Sequence, residues 1–213
     1  MRCYIAGAGE FCGRELPEPG DYVIAADGGF TCLAERGITP DIVVGDFDSL
    51  GEAPNHPNVA RSPAEKDDTD MMLAVKEGLA HGCDTFTIDG GLGGRLDHML
   101  ANIQALTYIS KRGARGVLIG RDMRVTAVTD GSIYFRAGMS GVISVFCAGG
   151  RAEGVTLEGL KYPLDSAVLT NDHPLGVSNE FTGEPATITV RNGTLVVVWA
   201  AEADQCKGLG VRG

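Results

Sequence analysis

The chain has 213 residues, of which 44% are hydrophobic, so it can bury a substantial core as one large or two small domains. Its 18 basic and 28 acidic residues give a net charge of −10 at pH 7, which argues against a nucleic-acid backbone or an anionic membrane as the main partner. No apolar stretch approaches the roughly 20 residues that cross a bilayer, and no export signal is visible, so a cytoplasmic protein is predicted.

The first half alternates short β-branched runs with helical patterns, which is typical of βα units around a mainly parallel sheet. The predicted strands are Cys3 to Ala6, Tyr22 to Ala26, Asp41 to Val44, Thr85 to Ile88 and Val117 to Ile119. Apolar residues at helical spacing predict two helices, over about Met71 to Leu79 and Leu96 to Leu106. Both predicted helices begin at an acidic motif.

Beyond about Val125 the helical periods vanish, and glycine, asparagine and proline turns separate short apolar runs. The predicted strands are Val125 to Val128, Ser132 to Phe135, Val142 to Phe146, Ala167 to Leu169, Thr187 to Val190 and Leu195 to Trp199. This pattern predicts an antiparallel sandwich or barrel. The chain is therefore expected to contain an α/β domain over residues 1–124 and a β domain over residues 125–213.

The third predicted strand leads into Gly45-Asp46-Phe47-Asp48-Ser49. If the extended backbone continues, Asp46 and Asp48 project to the same side and can hold one divalent cation. A polar turn in which Asp48 or Ser49 caps a helix explains a single Asp-x-Asp motif about equally well. The other acidic motifs decide between these interpretations.

A second acidic motif, Lys66-Asp67-Asp68-Thr69-Asp70, precedes a predicted amphipathic helix. Simple helix capping is one interpretation, because carboxylates are favoured at the positive end of the helix dipole. In the alternative, Lys66 contacts a phosphate while Asp70 binds a metal or accepts a hydrogen bond from an attacking hydroxyl.

The most specific motif runs from Asp89 to His98 and contains Gly90-Gly91-Leu92-Gly93-Gly94-Arg95-Leu96-Asp97. Its glycines let the backbone approach phosphate oxygens, and Arg95 supplies a fork of donors at the start of a helix. The spacing fits neither a Walker A loop nor the dinucleotide fingerprint. His98, a lone histidine on a helix, is more typical of a packing or surface position.

Another turn, Ala26-Asp27-Gly28-Gly29, directly follows the second predicted strand. Asp27 can reach a metal, a ribose or Arg95, and its glycines can admit a nucleotide, although an ordinary tight turn is equally consistent. Carboxylates alone repel a nucleotide, so their concentration beside glycine-rich backbone indicates a hard cation such as Mg²⁺ between them and the phosphates. The sequence therefore predicts phosphoryl-type transfer.

Taken in chain order, from Ala26-Asp27-Gly28-Gly29 through the motifs that begin at Gly45, Lys66 and Gly90, the four motifs resemble those of the thiamine pyrophosphokinase family. The resemblance continues through Gly159-Leu160-Lys161-Tyr162-Pro163-Leu164 and Gly176-Val177-Ser178-Asn179-Glu180-Phe181, so it covers nearly the whole chain. It implies an ATP-binding α/β domain, a thiamine-binding β-sandwich domain and a homodimer. It also implies the reaction, in which the thiamine hydroxyl attacks the β-phosphorus of ATP and AMP leaves, with Mg²⁺ as cofactor.

The resemblance also implies roles for individual residues. Asp46, Asp48 and Asp70 match the metal and pyrophosphate carboxylates, and Arg95 matches the phosphate-binding arginine, which makes these four the expected catalytic residues. The implied nucleotide-binding residues are Asp27, Gly28, Gly29, Lys66, Thr69, Gly91, Gly93, Gly94 and Asp97. The implied thiamine-binding residues are Tyr162, Ser178 and Asn179.

Two other functions are compatible with the same acidic motifs. An aspartate-dependent phosphatase would use Asp46 as its nucleophile, but that motif usually ends the first strand and here two βα units precede it. A non-catalytic sensor of Mg-nucleotide or thiamine would bind both ligands without turnover.

Overall fold

A computed structural model of the chain describes residues 1–45, 56–61, 67–200 and 209–212. Three residues of the expected site, Asp46, Asp48 and Lys66, lie outside these ranges. The chain divides into two compact units, the first comprising residues 1–105 and 116–121 and the second comprising residues 106–115 and 122–213. No helix in the described part is both long and apolar enough to cross a membrane.

The first unit is built on a sheet whose strands follow the order β6-β5-β1-β2-β3-β4. Their bounds are β1 (Arg2–Ala6), β2 (Tyr22–Ala26), β3 (Ile42–Gly45), β4 (Val59–Arg61), β5 (Thr85–Asp89) and β6 (Arg115–Ile119). Strands β1 to β5 pair in parallel. The central strands carry near-continuous apolar runs because helices cover a parallel sheet on its faces, and Tyr4, Ile5, Ile24, Phe86 and Ile88 are fully buried.

The helices are α1 (Gly29–Ala34), α2 (Asp70–Ala80) and α3 (Leu96–Ser110). The start of α2 is fixed by Thr69, whose side chain accepts a hydrogen bond from the Met72 backbone at 3.1 Å. One face of α2 packs closely on the sheet, since a Cβ on Gly78 would lie 2.6 Å from the ring of Phe86. The sheet and cap together hold the first turn of α2 beside the strand ends.

The second unit contains two antiparallel sets of strands. Their bounds are β7 (Met123–Thr129), β8 (Ser132–Phe135), β9 (Val142–Cys147), β10 (Arg151–Glu158), β11 (Leu164–Thr170), β12 (Gly176–Glu180), β13 (Ala186–Thr189), β14 (Thr194–Ala200) and β15 (Leu209–Arg212). One set has the order β12-β9-β14-β7 and the other β11-β10-β13-β8-β15. The ring of Phe135 on β8 packs edge-on against Trp199 on β14, with centroids 5.4 Å apart, so the two sets share a core.

This architecture confirms the predicted fold class, a mainly parallel sheet with helices followed by an antiparallel β-sandwich. The predicted strands all exist, with bounds that shift by up to three residues. Elements absent from the prediction are α1, β4, β10, β12 and β15. Both β10 and β12 contain glycine and charged residues, and their pairing is interrupted by register shifts, so neither shows the alternation that marks a strand.

Candidate functional site

A cleft of about 390 Å³ opens in the first unit, where β1, β2 and β5 end. Strands β2, β3 and β4 are added in sequence on one side of β1, whereas β5 pairs with the other side of β1. The carboxyl ends of β1, β2 and β5 therefore lie at a topological switch point of the sheet. Ligands bind at such points because neighbouring loops turn away in opposite directions. The lining residues are Gly7, Ala8, Gly9, Ala26, Asp27, Thr69, Asp70, Met71, Gly90, Gly91, Gly93, Gly94, Arg95, His98 and Asn102.

Two glycine-containing loops form part of the cleft wall and contact each other through their backbones. Gly7 donates to the carbonyl of Asp89 at 2.7 Å, and Gly9 donates to the carbonyl of Gly90 at 2.8 Å. A Cβ on Gly9 would lie 2.5 Å from that Gly90 oxygen, so the contact requires glycine. Backbone without side chains therefore faces the cleft, as close approach to phosphate oxygens requires.

Two carboxylates of the expected site, Asp27 and Asp70, line the same cleft. Asp27 follows β2 in a left-handed conformation, with φ of 49°, and its backbone donates to Val44 of β3 at 2.8 Å. Asp70 is the first residue of α2, so its charge lies at the positive end of that helix. Strand β3 also ends at this edge of the sheet, at Gly45, the residue before Asp46 in the sequence.

The donor types at this edge suit a hard divalent cation, which takes carboxylate and carbonyl oxygens. Asp27 and Asp70 supply carboxylates, and a cation can share them with phosphate oxygens. Within the described residues, no group of three histidine, cysteine or acidic side chains comes together as a metal site.

Arg95 lines the cleft at the start of α3 and is paired with Asp97. Its guanidinium donates to the two carboxylate oxygens at 3.1 Å and 2.6 Å. This hydrogen bonding holds the pKa of Asp97 at about 2 and raises the pKa of Arg95. Both side chains are exposed, so Arg95 keeps further N–H groups available towards solvent.

Several residues of the cleft were not predicted as site residues. Asn102, a buried polar residue on the apolar stripe of α3, donates from its amide to the carbonyl of Gly91 at 2.7 Å and so holds the glycine-rich loop. Its position among apolar residues was the only signal in the sequence. Ala8 and Met71 carry no such signal, and His98, expected at a packing or surface position, lines the cleft as an exposed side chain.

Gly28 and Gly29 are not among the residues that line the cleft. They begin α1, and a Cβ on Gly29 would overlap the carbonyl oxygen of Ala6 at the end of β1. In this structure the pair allows α1 to start directly against the central strand.

The expected thiamine-binding residues lie in the second unit and are linked to one another. The buried Asn179 side chain accepts from the Tyr162 backbone N–H at 2.9 Å and donates to the Tyr162 carbonyl at 2.7 Å. The Tyr162 side chain is exposed. Ser178 lies in a bulge of β12 with a left-handed φ of 58°, and its backbone donates to Ser144 at 3.1 Å.

Two family models match the chain in succession. Residues 14–118 match the catalytic domain of thiamin pyrophosphokinase, and residues 132–195 match its vitamin B1 binding domain. A curated thiamine pyrophosphokinase from Bacillus subtilis is 31% identical over 182 residues, which cover 82% of this chain and 85% of that protein. The chain belongs to the thiamine pyrophosphokinase family. The family predicted from the sequence motifs is thereby confirmed.

Solved structures of similar proteins agree with this assignment. The crystal structure of thiamine pyrophosphokinase from Bacillus subtilis has a TM-score of 0.83 and 27% identity, covering 95% of this chain and 100% of that one. The Geobacillus thermodenitrificans thiamin pyrophosphokinase has a TM-score of 0.80 and 25% identity, covering 96% and 100%. The Candida albicans thiamin pyrophosphokinase, 14% identical with a TM-score of 0.75, covers 94% and 90% and shows the same fold.

Proposed function

We propose that the protein transfers the diphosphoryl group of ATP to the hydroxyl of thiamine, giving thiamine diphosphate and AMP. The observation that carries this proposal is the cleft at the switch point, where glycine-rich backbone, Asp27, Asp70 and Arg95 line one cavity in a chain of this family. The family models and the curated relative confirm the sequence-based prediction of an ATP-dependent diphosphotransferase. ATP and thiamine are accordingly its substrates.

The triphosphate of ATP is assigned to the cleft. Backbone N–H groups of the glycine-rich loop and the guanidinium of Arg95 contact its oxygens, and the exposed position of Arg95 lets it turn from Asp97 towards an incoming phosphate. Lys66, Thr69 and Asp97 complete the proposed nucleotide site, together with the turn at Asp27, Gly28 and Gly29. Supporting this, Thr69 and Asp27 line the same cleft.

Mg²⁺ is the proposed cofactor, held by Asp70 together with Asp46 and Asp48 and with Asp27 close by. When bound, it would neutralise charge on the phosphate oxygens during transfer. The carboxylates of Asp27 and Asp70 on the cleft wall support this assignment through their donor chemistry.

The chain's own contribution to transfer is mainly positioning and electrostatics. Asp70 is proposed to orient the thiamine hydroxyl and accept its proton, since it lies half-buried on the cleft wall at the start of α2. Arg95 donates to the oxygens of the group being transferred, where negative charge develops. The bond from the β-phosphorus to the AMP oxygen breaks as the bond to the thiamine oxygen forms.

Residues 125–213 are the proposed thiamine-binding domain and residues 1–124 the proposed ATP-binding domain. The match of residues 132–195 to a vitamin B1 binding model supports this division. Tyr162 offers an exposed aromatic face for the cationic thiazolium, and Ser178 and Asn179 lie on the adjoining strand. The net charge of −10 favours the approach of this cation.

A homodimer is proposed as the functional state. Leu96 and Leu100, one turn apart on α3, are 66% and 55% exposed, and a partner subunit would remove this apolar surface from water. A cytoplasmic location is proposed because the reaction consumes ATP.

One assay tests the function directly. The purified protein is incubated with ATP, Mg²⁺ and thiamine, and the products are resolved by mass, with an EDTA-treated sample as control. Thiamine diphosphate and AMP in equal amounts are expected, and their formation should stop with EDTA. Release of inorganic phosphate alone would indicate a phosphatase, whereas binding of both ligands without turnover would indicate a sensor.

A further inference from the structure

Asp89, the last residue of β5, is a fully buried carboxylate that does not line the cleft. One of its oxygens accepts hydrogen bonds from the backbone N–H groups of Cys12 at 2.8 Å and Gly90 at 2.7 Å. The other oxygen accepts from the N–H of Gly13 at 2.7 Å. Hydrogen bonds from three N–H groups offset the cost of burying this charge, so these groups and the carboxylate hold one another in place.

These contacts join two loops that lie far apart in the sequence. The N-terminal loop, residues 7–13, follows β1, and the glycine-rich loop, residues 90–94, follows β5. Backbone hydrogen bonds connect their nearer parts, including one from Glu10 to the carbonyl of Leu92 at 3.1 Å. The Asp89 side chain adds the contacts to Cys12 and Gly13, at the far end of the N-terminal loop.

We propose that Asp89 is a positioning residue for the nucleotide site, which sets the N-terminal loop against the glycine-rich loop before the triphosphate binds. The inference rests on the proposed function, because it takes the cleft as the ATP site. Gly7 and Gly9 of one loop and Gly93 of the other line that cleft. A site whose backbone donors are already in place loses less conformational entropy on binding than a site that must form around the ligand.

The substitution Asp89→Asn separates this role from simple packing. An asparagine has the same shape but offers one acceptor oxygen, and its NH₂ group would face an N–H donor that now lacks a partner. The N-terminal loop keeps another attachment, since the Arg36 guanidinium lies 4.5 Å from the Phe11 ring centroid. The chain just beyond the loop is held as well, because the Tyr4 hydroxyl donates to the Glu15 carbonyl at 3.0 Å. We therefore expect local loosening in a folded protein.

The matched control is Asp41→Asn. The Asp41 carboxylate also accepts a backbone hydrogen bond, from Val23 at 2.8 Å, but it lies at the opposite end of the sheet strands from the cleft. Both variants remove the charge of a carboxylate that holds backbone in the first unit. Only Asp89→Asn should weaken nucleotide binding.

The experiment measures the Kd of a non-hydrolysable ATP analogue with Mg²⁺, the KM values of both substrates, and amide hydrogen exchange. Asp89→Asn should weaken nucleotide binding about tenfold and raise the ATP KM similarly, with the thiamine KM within about twofold of wild type. Amides of Cys12, Gly13 and Gly90 should exchange faster. Asp41→Asn should leave these quantities unchanged.

A second variant approaches the same loop contact from the other side. Gly9→Ala places a Cβ 2.5 Å from the carbonyl oxygen of Gly90, so it should separate the loops and give the same selective rise in the ATP KM. Gly149→Ala, where the added Cβ meets no atom within 4 Å, is its control. This pair decides the proposal if Asp89→Asn does not fold.

Wild-type nucleotide affinity in a folded Asp89→Asn would overturn the inference, as would an equal rise in both KM values. If that variant does not fold, wild-type affinity in Gly9→Ala would overturn it. Failure of the proposed function is distinguished by the wild-type protein itself. If wild type releases no AMP with thiamine, the function is wrong, while the analogue titration and the exchange rates still decide the role of Asp89.

Discussion

Arg95 and Asp97 form a bidentate ion pair at the start of α3, on the rim of the cleft that we assign to ATP. The guanidinium that is proposed to bind phosphate therefore already has an anionic partner within its own chain. A phosphate oxygen must either displace Asp97 or bind the remaining N–H groups. Since both side chains are exposed, either rearrangement costs little.

Replacement of Arg95 tests its role at the phosphates. Arg95→Ala should lower kcat/KM for ATP by about 10²- to 10³-fold, because a donor to the developing charge is lost. Arg95→Lys should recover part of this, since an ammonium keeps the charge but cannot donate in a planar fork. The free energy of unfolding at pH 7 should stay close to the wild-type value in both, because the Arg95 side chain is exposed. Steady-state kinetics would measure kcat/KM, and urea denaturation would measure the free energy of unfolding. Unchanged kinetics in Arg95→Ala would show that Arg95 does not contact the phosphates.

The ion pair also predicts a pH dependence. Because Arg95 lowers the folded-state pKa of Asp97 from 3.8 to about 2, the ionised pair contributes stability above about pH 4 that is lost as the pH falls towards 2. Carbon-13 NMR titration of the Asp97 carboxyl should give a midpoint near 2, returning towards 3.8 in Arg95→Ala. A wild-type midpoint near 3.8 would show that the pair does not persist in solution.

Asp70 is the residue whose loss should affect turnover most. Asp70→Asn should reduce kcat by at least about 10²-fold at saturating Mg²⁺, because an amide cannot accept the proton of the thiamine hydroxyl. The cap of α2 is supplied by Thr69, so the helix should persist. Asp68→Asn is the control, since Asp68 is paired with Lys76 and is not among the cleft residues. Near-normal turnover of Asp70→Asn would exclude this role.

Asn179 should influence thiamine through Tyr162. Asn179→Asp keeps an acceptor for the Tyr162 N–H but replaces the donor to the Tyr162 carbonyl by a second oxygen, which repels that carbonyl. We expect the KM for thiamine to rise about tenfold, with the KM for ATP unchanged. Initial rates with each substrate varied in turn would give the two KM values separately. A rise confined to ATP would place Tyr162 away from thiamine.

Gly29 tests the close packing of α1 on the central strand. In Gly29→Ala the new Cβ overlaps the Ala6 carbonyl oxygen, so strand and helix must separate. The free energy of unfolding should fall by at least about 2 kcal/mol. Urea denaturation would show this, and Gly149→Ala, whose Cβ enters open space, should remain near wild type.

The fold was predictable from sequence where one periodicity dominated. The apolar runs of β1 and β2, the alternating threonine and apolar residues of β5, and the helical stripes of α2 and α3 predict the parallel unit directly. Strands β10 and β12 were missed because bulges, glycines and charged residues interrupt their alternation, and β4 because only three residues pair. The pairing of β1 with both β2 and β5 is a long-range property that local patterns do not contain.

The candidate site was predictable where its chemistry is local. Asp27, Thr69, Asp70 and Arg95 each stand in a motif that suggests a strand end or a helix start, and all four line one cleft. Asp89 was not recognised, because its hydrogen-bonding partners Cys12 and Gly13 lie more than 70 positions earlier in the chain. A residue that acts by holding distant backbone has no signature in its own neighbourhood.

The mutual contact of Gly7 and Gly9 with Gly90 restricts how the cleft could be redesigned for another nucleotide. A Cβ on Gly7 or Gly9 would meet the backbone of Gly90, and a Cβ on Gly90 would meet the backbone of Gly7. Any larger side chain at these positions would therefore push the two loops apart. In a library of variants, most substitutions at Gly7, Gly9 and Gly90 would therefore disrupt the cleft. Diversity is better directed to Ala8, Met71 and His98, whose side chains border the same cavity.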